Sequence, residues 1–341
     1  MRAAACAAIF LDEEQLRRIP LAFLRFRAFA VAVHRKGRIV QTIVPWRLRT
    51  RSLELGRRTL LMGVVNITPD SFSDGGSFLP LDKAVAHAVR LAEEGADILD
   101  LGAESTRPGS QAGGAGPLVD TVEEQARLLP VIEGVLKALP GAVLSVDTYK
   151  AATAQAAIAA GVEIVNDVSG FAWDAALAEV CAAAGVGVVV AHTRGRPEEW
   201  RTQPRLAVDA LLATVRDGLA ASLDAAQAAG IAPDRLILDP GYGFGKGFDE
   251  NYALLARQRT LLALGRPLLA GLSRKSCLGR TLAPLFGGGD APVGARANAS
   301  LAAMTAAILH GASIVRVHDV RPAVEAACIA DAIRAAGGED A

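Results

Sequence analysis

The sequence is short of several things, and each shortage excludes a class of protein. Its 341 residues carry only four cysteines, Cys6, Cys181, Cys277 and Cys328, far apart and with no C-x-x-C pair. That spacing argues against a zinc site or a disulfide framework and suits a reducing, cytoplasmic compartment. No uninterrupted apolar run reaches the roughly 18 residues of a membrane helix. Lys plus Arg and Asp plus Glu both number 36, so the formal net charge is zero. No global field therefore advertises a nucleic-acid partner. There is no HExxH and no clustered histidine pair. The glycine-rich stretch "DPGYGFGKGF" (239–248) is neither a Walker A loop nor G-x-G-x-x-G, because Gly245–Lys246 is followed by Gly247 and Pro240 stands five positions before Gly245. Its glycines are read as letting the backbone pass close to a flat ligand, with Phe244 packing nearby.

What is present is uneven in charge. Residues 1–58 hold 13 Lys/Arg against 4 Asp/Glu. Within them "MRAAACAAIF" faintly suggests a signal peptide, but "LDEEQLRRIP" follows with no clear small-residue cleavage site. Residues 1–46 are expected to be a small appendage or a poorly ordered extension, and 47–337 a (β/α)8 barrel.

From residue 60 the pattern becomes regular. Short β-rich apolar runs alternate with longer alanine-rich segments of helical period. The runs are LLMGVVN (60–66), ILDLG (98–102), LSVDT (144–148), IVNDV (164–168), VGVVVAH (186–192), LILDP (236–240), LLAGLS (268–273) and SIVRVHDV (313–320). In 293–308, Val293, Ala297, Leu301, Met304 and Ile308 recur at steps of four and three, which predicts one helix face. Eight strand–helix units predict an α/β fold, a (β/α)8 TIM barrel with a short N-terminal extension. A doubly wound open sheet is the rival, and the strand count favours the barrel.

In such barrels the reactive groups sit at the C-terminal ends of the strands. Here nearly every run ends in one: Asn66, Asp100, Asp147, Asn166, His192, Asp239, Ser273, and Arg316 with His318. Arg316 and His318 are two apart on a strand and share a face. They suit a phosphate or diphosphate, or else a salt bridge to a rim aspartate. Asp147 and Asp239 could read the N–H edge of a heterocycle, stabilise a developing cation or bind a metal; Asn166 offers both a donor and an acceptor. "GAESTRPGS" (102–110) holds Thr106, Arg107 and Pro108 in a rigid turn suited to a substrate loop or a solvated surface. Ser273, Arg274 and Lys275 end the seventh run, where barrels often bind anions. Arg274 alone reads better as a surface ion pair. His87 and His310 fall on helical stretches and read as packing or surface residues.

Taken together, "NITPDSFSDGG", "ESTRPG", "SVDT", "NDVSG", "DPGYGFGK", "SRKS" and "RVHDV" resemble, in order and spacing, the dihydropteroate synthases of folate biosynthesis. The likeness runs from "WRLRTRSLELGRRTLLMG" to near residue 335. It implies a pterin-binding barrel that joins 6-hydroxymethyl-7,8-dihydropterin diphosphate to p-aminobenzoate, releasing pyrophosphate. It implies Asn66 as a ligand of Mg²⁺, and Asp147, Asn166, Asp239 and Lys275 as pterin readers. Arg107, Arg316 and His318 would clamp the diphosphate, and Thr106, Pro108, Phe244 and Ser273 would surround p-aminobenzoate. The loop with Asp70 and Phe72 would close over the reactants. A homodimer, small-molecule substrates and sulfonamide inhibition are implied as well.

One departure stands out. Where the family reads Met-His-Met-x-Gly, this chain reads Ala191-His192-Thr193-Arg194-Gly195. Ala191 forfeits about 1–3 kcal/mol of apolar contact to a pterin, by analogy with large-to-small changes. That leaves a non-catalytic pterin-binding paralogue as an alternative, against which Asp70, Arg107 and Lys275 stand intact. A methyltetrahydrofolate-type methyltransferase is a second; the "STRPG" and "SRKS" loops argue against it, since a methyl donor leaves no diphosphate to clamp.

Overall fold

All eight apolar runs become parallel strands, and the eight close on one another. The computed structural model describes residues 43–67, 79–104 and 119–337. An antiparallel hairpin comes first, β1 (Val44–Arg47) with β2 (Ser52–Leu55). The barrel strands are β3 (Leu60–Asn66), β4 (Ile98–Gly102), β5 (Leu144–Asp147), β6 (Ile164–Asp167), β7 (Gly187–Ala191), β8 (Leu236–Asp239), β9 (Leu268–Ala270) and β10 (Ala312–Val317). They follow chain order around the ring, and β10 pairs with β3 to seal it. The open doubly wound sheet is thereby excluded. Because β1 starts at Val44, the folded unit begins before residue 47, where the sequence suggested a boundary.

The connecting helices are α1 (Leu79–Glu93), α2 (Thr121–Ala138), α3 (Ala151–Ala159), α4 (Ala176–Ala184), α5 (Val208–Ala228), α6 (Phe248–Arg257), the short α7 (Ser276–Thr281), α8 (Ala297–Leu309) and α9 (Val320–Ala336). The long helices α2, α5 and α9 each bury one face. In α5 the buried positions Leu211, Val215, Leu219, Ser222 and Ala226 advance by three or four. Asp120 caps α2 by accepting from the Glu123 N–H at 2.8 Å. The helix read from residue 293 instead starts at Ala297, after a 3-10 turn (Val293–Arg296) that leaves Val293 exposed.

Strand alternation divides the core in two. Outward residues such as Leu61, Leu99, Val146, Val165, Val188, Val190, Leu238 and Val315 pack against the helices. Inward residues Met62, Ile98, Val143, Ile164, Val189, Ile237, Leu269 and Ile314 fill the barrel. The hairpin plugs the bottom of this inner core with Trp46, Leu48 and Leu55. The Trp46 indole donates to the Arg235 carbonyl at 2.8 Å, and the Arg235 guanidinium donates to the Leu48 carbonyl at 2.8 Å. The plug needs glycine at 187, where a Cβ would sit 3.1 Å from the indole.

Trp46 is 1% exposed, so Trp46→Ala should cost about 3–5 kcal/mol in urea unfolding. The plug lies at the end of the barrel opposite the strand C-termini, so turnover at saturating substrate should stay within about twofold once the protein is folded.

Candidate functional site

The same alternation that fills the barrel builds the site. Two residues beyond Ile98, Ile164, Ile237 and Ile314 come Asp100, Asn166, Asp239 and Arg316. Two beyond Ser145, which continues the Val143 face, comes Asp147. Asn66 shares the inward face of Met62, and His318 that of Arg316. Apolar packing below thus delivers a ring of polar groups to the C-terminal mouth.

At its floor is one guanidinium. Arg316 donates through Nε to Asp100 at 2.5 Å and through Nη2 to Asp147 at 2.6 Å. Asn166 also donates to Asp100, at 3.1 Å. Asp100 is fully buried, and its second oxygen has no partner among the described residues. Burial lowers the tendency of Arg316 to hold its proton, but Asp100 and Asp147 outweigh this and raise its pKa. Burial pushes Asp147 up to about 7; Arg316 opposes the rise and Asp100 adds to it. Burial also raises Asp239, opposed by the Gly241 N–H that it accepts at 2.7 Å and by Lys275. Burial lowers Lys275 to about 8, with Asp239 resisting.

Lys275 reaches the mouth through a tight turn. Arg274 has φ +58°, an uncommon conformation for a residue with a side chain. Its N–H donates to Ser300 at 2.9 Å, and its guanidinium pairs with Asp319 at 2.6 Å. Arg274 is therefore the ion pair that the sequence suggested. The Lys275 ammonium lies 4.1 Å from the centroid of the Phe244 ring. Ser273 meets His318, its Oγ 3.0 Å from Nδ1 and accepting the His318 N–H at 3.2 Å.

One expectation needs correction. His192 belongs to the other parity: Ala191 is the register partner of Asp239, and His192 turns outward under α5, where a Cβ at Gly218 would meet its ring. Burial drives its imidazole down to about 2, so it is a packed neutral residue. The glycines of 241–246 admit close protein neighbours. A Cβ at Gly241 would strike the His192 carbonyl, and one at Gly245 would lie 2.7 Å from Arg194. Gly243 leaves room for Lys275.

The sequence reading also missed two lysines. Lys246 donates to the carbonyls of Gly241 (2.7 Å), His192 (3.0 Å) and Phe244 (3.3 Å), stapling two mouth loops together. Its place at the end of a glycine-rich loop was the only signal. Lys150 binds Glu104 and the Val119 carbonyl, both at 2.7 Å, and Glu124 at 3.0 Å. It thus ties together the residues that flank 105–118. Asp70, Phe72, Thr106, Arg107 and Pro108 lie outside the described residues.

The family described as pterin binding enzyme matches residues 62–318. The dihydropteroate synthase of Bacillus subtilis (strain 168) is 39% identical over 287 residues, 84% of this chain and 93% of that one. Xanthomonas albilineans dihydropteroate synthase, solved with 4-aminobenzoic acid, superposes with TM-score 0.75 at 41% identity, covering 86% of this chain and 99% of that one. The Yersinia pestis dihydropteroate synthase, solved with a sulfonamide drug, gives 0.75 at 38% identity over 86% of this chain and 100% of that one.

Removing the guanidinium should expose its structural role. Arg316→Met leaves Asp100 buried without its cation and should cost about 3–5 kcal/mol in urea unfolding. Adding Asp100→Asn should return part of that loss. Unchanged stability in Arg316→Met would show that the pair does not hold the floor together.

Proposed function

The chain belongs to the pterin-binding enzymes as a member of the dihydropteroate synthase family, and from that premise we propose how its rim does the chemistry. The reaction condenses 6-hydroxymethyl-7,8-dihydropterin diphosphate with p-aminobenzoate to give 7,8-dihydropteroate and pyrophosphate. It is a transferase reaction of folate biosynthesis. The observation that carries the residue assignment is the convergence of Asp147, Asn166, Asp239, Lys275 and Arg316 on one mouth, on a floor of paired charges.

In this reading the pterin lies flat and deep. Its N–H edge faces Asp239 and Asn166, and the Lys275 ammonium donates to an acceptor on the ring. Breaking the C–O bond leaves a resonance-stabilised pterin methylene cation, which Asp147 stabilises from the floor. The departing pyrophosphate meets Arg316 and His318, with Arg107 from the neighbouring loop. The arylamine, beside Phe244 and Ser273 with Thr106 and Pro108, then attacks the methylene carbon. It needs position more than activation. The loop of Asp70 and Phe72 keeps water from the cation.

Mg²⁺ is proposed at Asn66. The described residues contain no cluster of three acidic, histidine or cysteine groups that could hold an ion. One carboxamide oxygen at the rim fits a hard cation that keeps its waters and leans on substrate phosphates. When bound, it would neutralise charge growing on the leaving group.

No helix among the described residues is long and apolar enough to cross a membrane. A cytoplasmic homodimer is proposed. So is inhibition by sulfonamides, which imitate p-aminobenzoate.

Purified protein should release pyrophosphate only when both substrates and Mg²⁺ are present; release without p-aminobenzoate at the same rate would contradict the scheme. Lys275→Ala should lose pterin binding by calorimetry, whereas Arg316→Lys should keep it and turn over slowly. Equal, small effects from both would contradict the assigned roles.

The pH profile follows from the two shifted groups. Asp147, raised to about 7, loses its charge as pH falls through that value. Lys275, lowered to about 8, loses its proton as pH rises through that value. For the pterin substrate kcat/KM should therefore peak between these values and fall on both sides. Lys275→Arg, which keeps its charge, should flatten the alkaline limb, and Asp147→Asn the acid limb.

A further inference from the structure

Trp200 has no part in the reading so far, yet it touches the arylamine side of the mouth. It follows a 3-10 turn (Pro197–Glu199) in the loop after β7. Its indole N–H is shared between the Thr193 hydroxyl at 3.0 Å and the Gly195 carbonyl at 3.1 Å. Thr193 in turn donates to the same Gly195 carbonyl at 2.9 Å. The turn is closed by Glu199, which accepts the Arg196 N–H at 2.6 Å. The indole is thus fixed at its polar edge by two contacts within its own loop, whose acceptors are themselves hydrogen-bonded to each other.

Its apolar side meets the next loop. The Trp200 and Phe244 rings lie 5.1 Å apart with a 32° tilt, a geometry in which aromatic pairs attract. The Phe244 ring carries the Lys275 ammonium 4.1 Å from its centroid. The two loops are also joined through their backbones, where the Arg194 N–H donates to the Phe244 carbonyl at 3.3 Å. A Cβ at Gly245 would come within 3.0 Å of the indole, so the glycine there admits Trp200.

We propose that Trp200 is a positioning residue for the arylamine substrate: anchored by Thr193 and Gly195, it sets the ring of Phe244 against which p-aminobenzoate is placed. Thr193 and Trp200 form a matched pair. Thr193 stands at the second methionine of the family's Met-His-Met-x-Gly run, and its hydroxyl supplies an oxygen acceptor that a thioether lacks. This departure therefore reads as specificity built into the arylamine side. The proposal rests on p-aminobenzoate lying beside Phe244.

Steady-state kinetics on purified full-length variants tests it. Trp200→Leu should raise KM for p-aminobenzoate about five- to tenfold, the range one aromatic contact spans, with kcat and the KM for the pterin substrate within about twofold. Trp200→Phe, which keeps a ring, should recover most of the loss and keeps the test open should the leucine variant fold poorly. Thr193→Val should have a smaller effect of the same kind. The double variant Thr193→Val/Trp200→Phe should be no worse than Trp200→Phe alone, because the hydroxyl's partner is already gone. Trp200→Leu acting equally on both substrates, or on neither, overturns the proposal; so does failure of Trp200→Phe to restore. Phe244→Leu separates the layers. If it raises KM for p-aminobenzoate and Trp200→Leu does not, the site reading stands and Trp200 alone falls. If Phe244→Leu has no effect, the placement of p-aminobenzoate falls and Trp200's role falls with it.

Discussion

A carboxylate cut off from the surface is costly unless it meets a cation or hydrogen-bond donors, and Asp100 is fully buried. Arg316 answers it, and the rest of the mouth is built on that pair. The guanidinium is planar, so fixing Nε on Asp100 also fixes where its other nitrogens point, and one of them meets Asp147. Asn166 fills a further site on Asp100. Four strands, β10, β4, β5 and β6, are thereby tied together by side chains just above the apolar filling of the barrel. Ion pairs of this kind add little to stability relative to apolar packing, and their value lies in orientation. Here they give the mouth a floor whose polar atoms are already aimed.

The walls rest on a second device, the lysine used as a backbone staple. Lys246 gathers three carbonyls from the loops after β7 and β8. Lys150 gathers Glu104, Val119 and Glu124 across the ends of 105–118. Barrel loops carry the chemistry but have few packing partners of their own. An ammonium with three donors can satisfy several loop acceptors at once. Burial lowers Lys246 to about 7, a cost accepted for holding Phe244 and its neighbours in place.

Much of this could be read from the chain because side-chain parity in a strand is strict. Each apolar run announced a strand, and each polar residue two steps past an inward apolar one announced a rim group, as with Asp239 after Ile237. His192 shows the same rule misapplied, for the run VGVVVAH ends one residue past the inward position. Pairing was harder to read. Arg316 and Asp100 are 216 residues apart, so nothing local distinguishes a phosphate clamp from a floor ion pair. The glycines of 241–246 record that backbone comes close to something, and only the structure shows that His192, Arg194 and Lys275 are among what it approaches. Trp200 and Thr193 left no periodic signal at all. Asp70, Phe72, Thr106, Arg107 and Pro108 rest on sequence likeness alone.

The charges at the mouth bear on how the proposed reaction proceeds. Asp100, Asp147 and Asp239 face Arg316, Lys275 and Lys246, so the described floor is close to neutral before substrate enters. In the proposed reaction a neutral pterin would disturb that balance little, whereas its diphosphate would bring negative charge for which, among the described floor groups, each cation is already matched by an acid. Arg316 can turn toward the diphosphate only by loosening one carboxylate. Asp100 is sealed in, while the Asp147 side chain keeps 28% of its surface exposed. Of the two partners Asp147 is the more open to solvent, and so the one the guanidinium leaves at less cost. In the proposed mechanism that exchange of partners would serve both halves of the bond cleavage, moving the cation toward the departing anion and leaving the Asp147 carboxylate beside the nascent methylene cation.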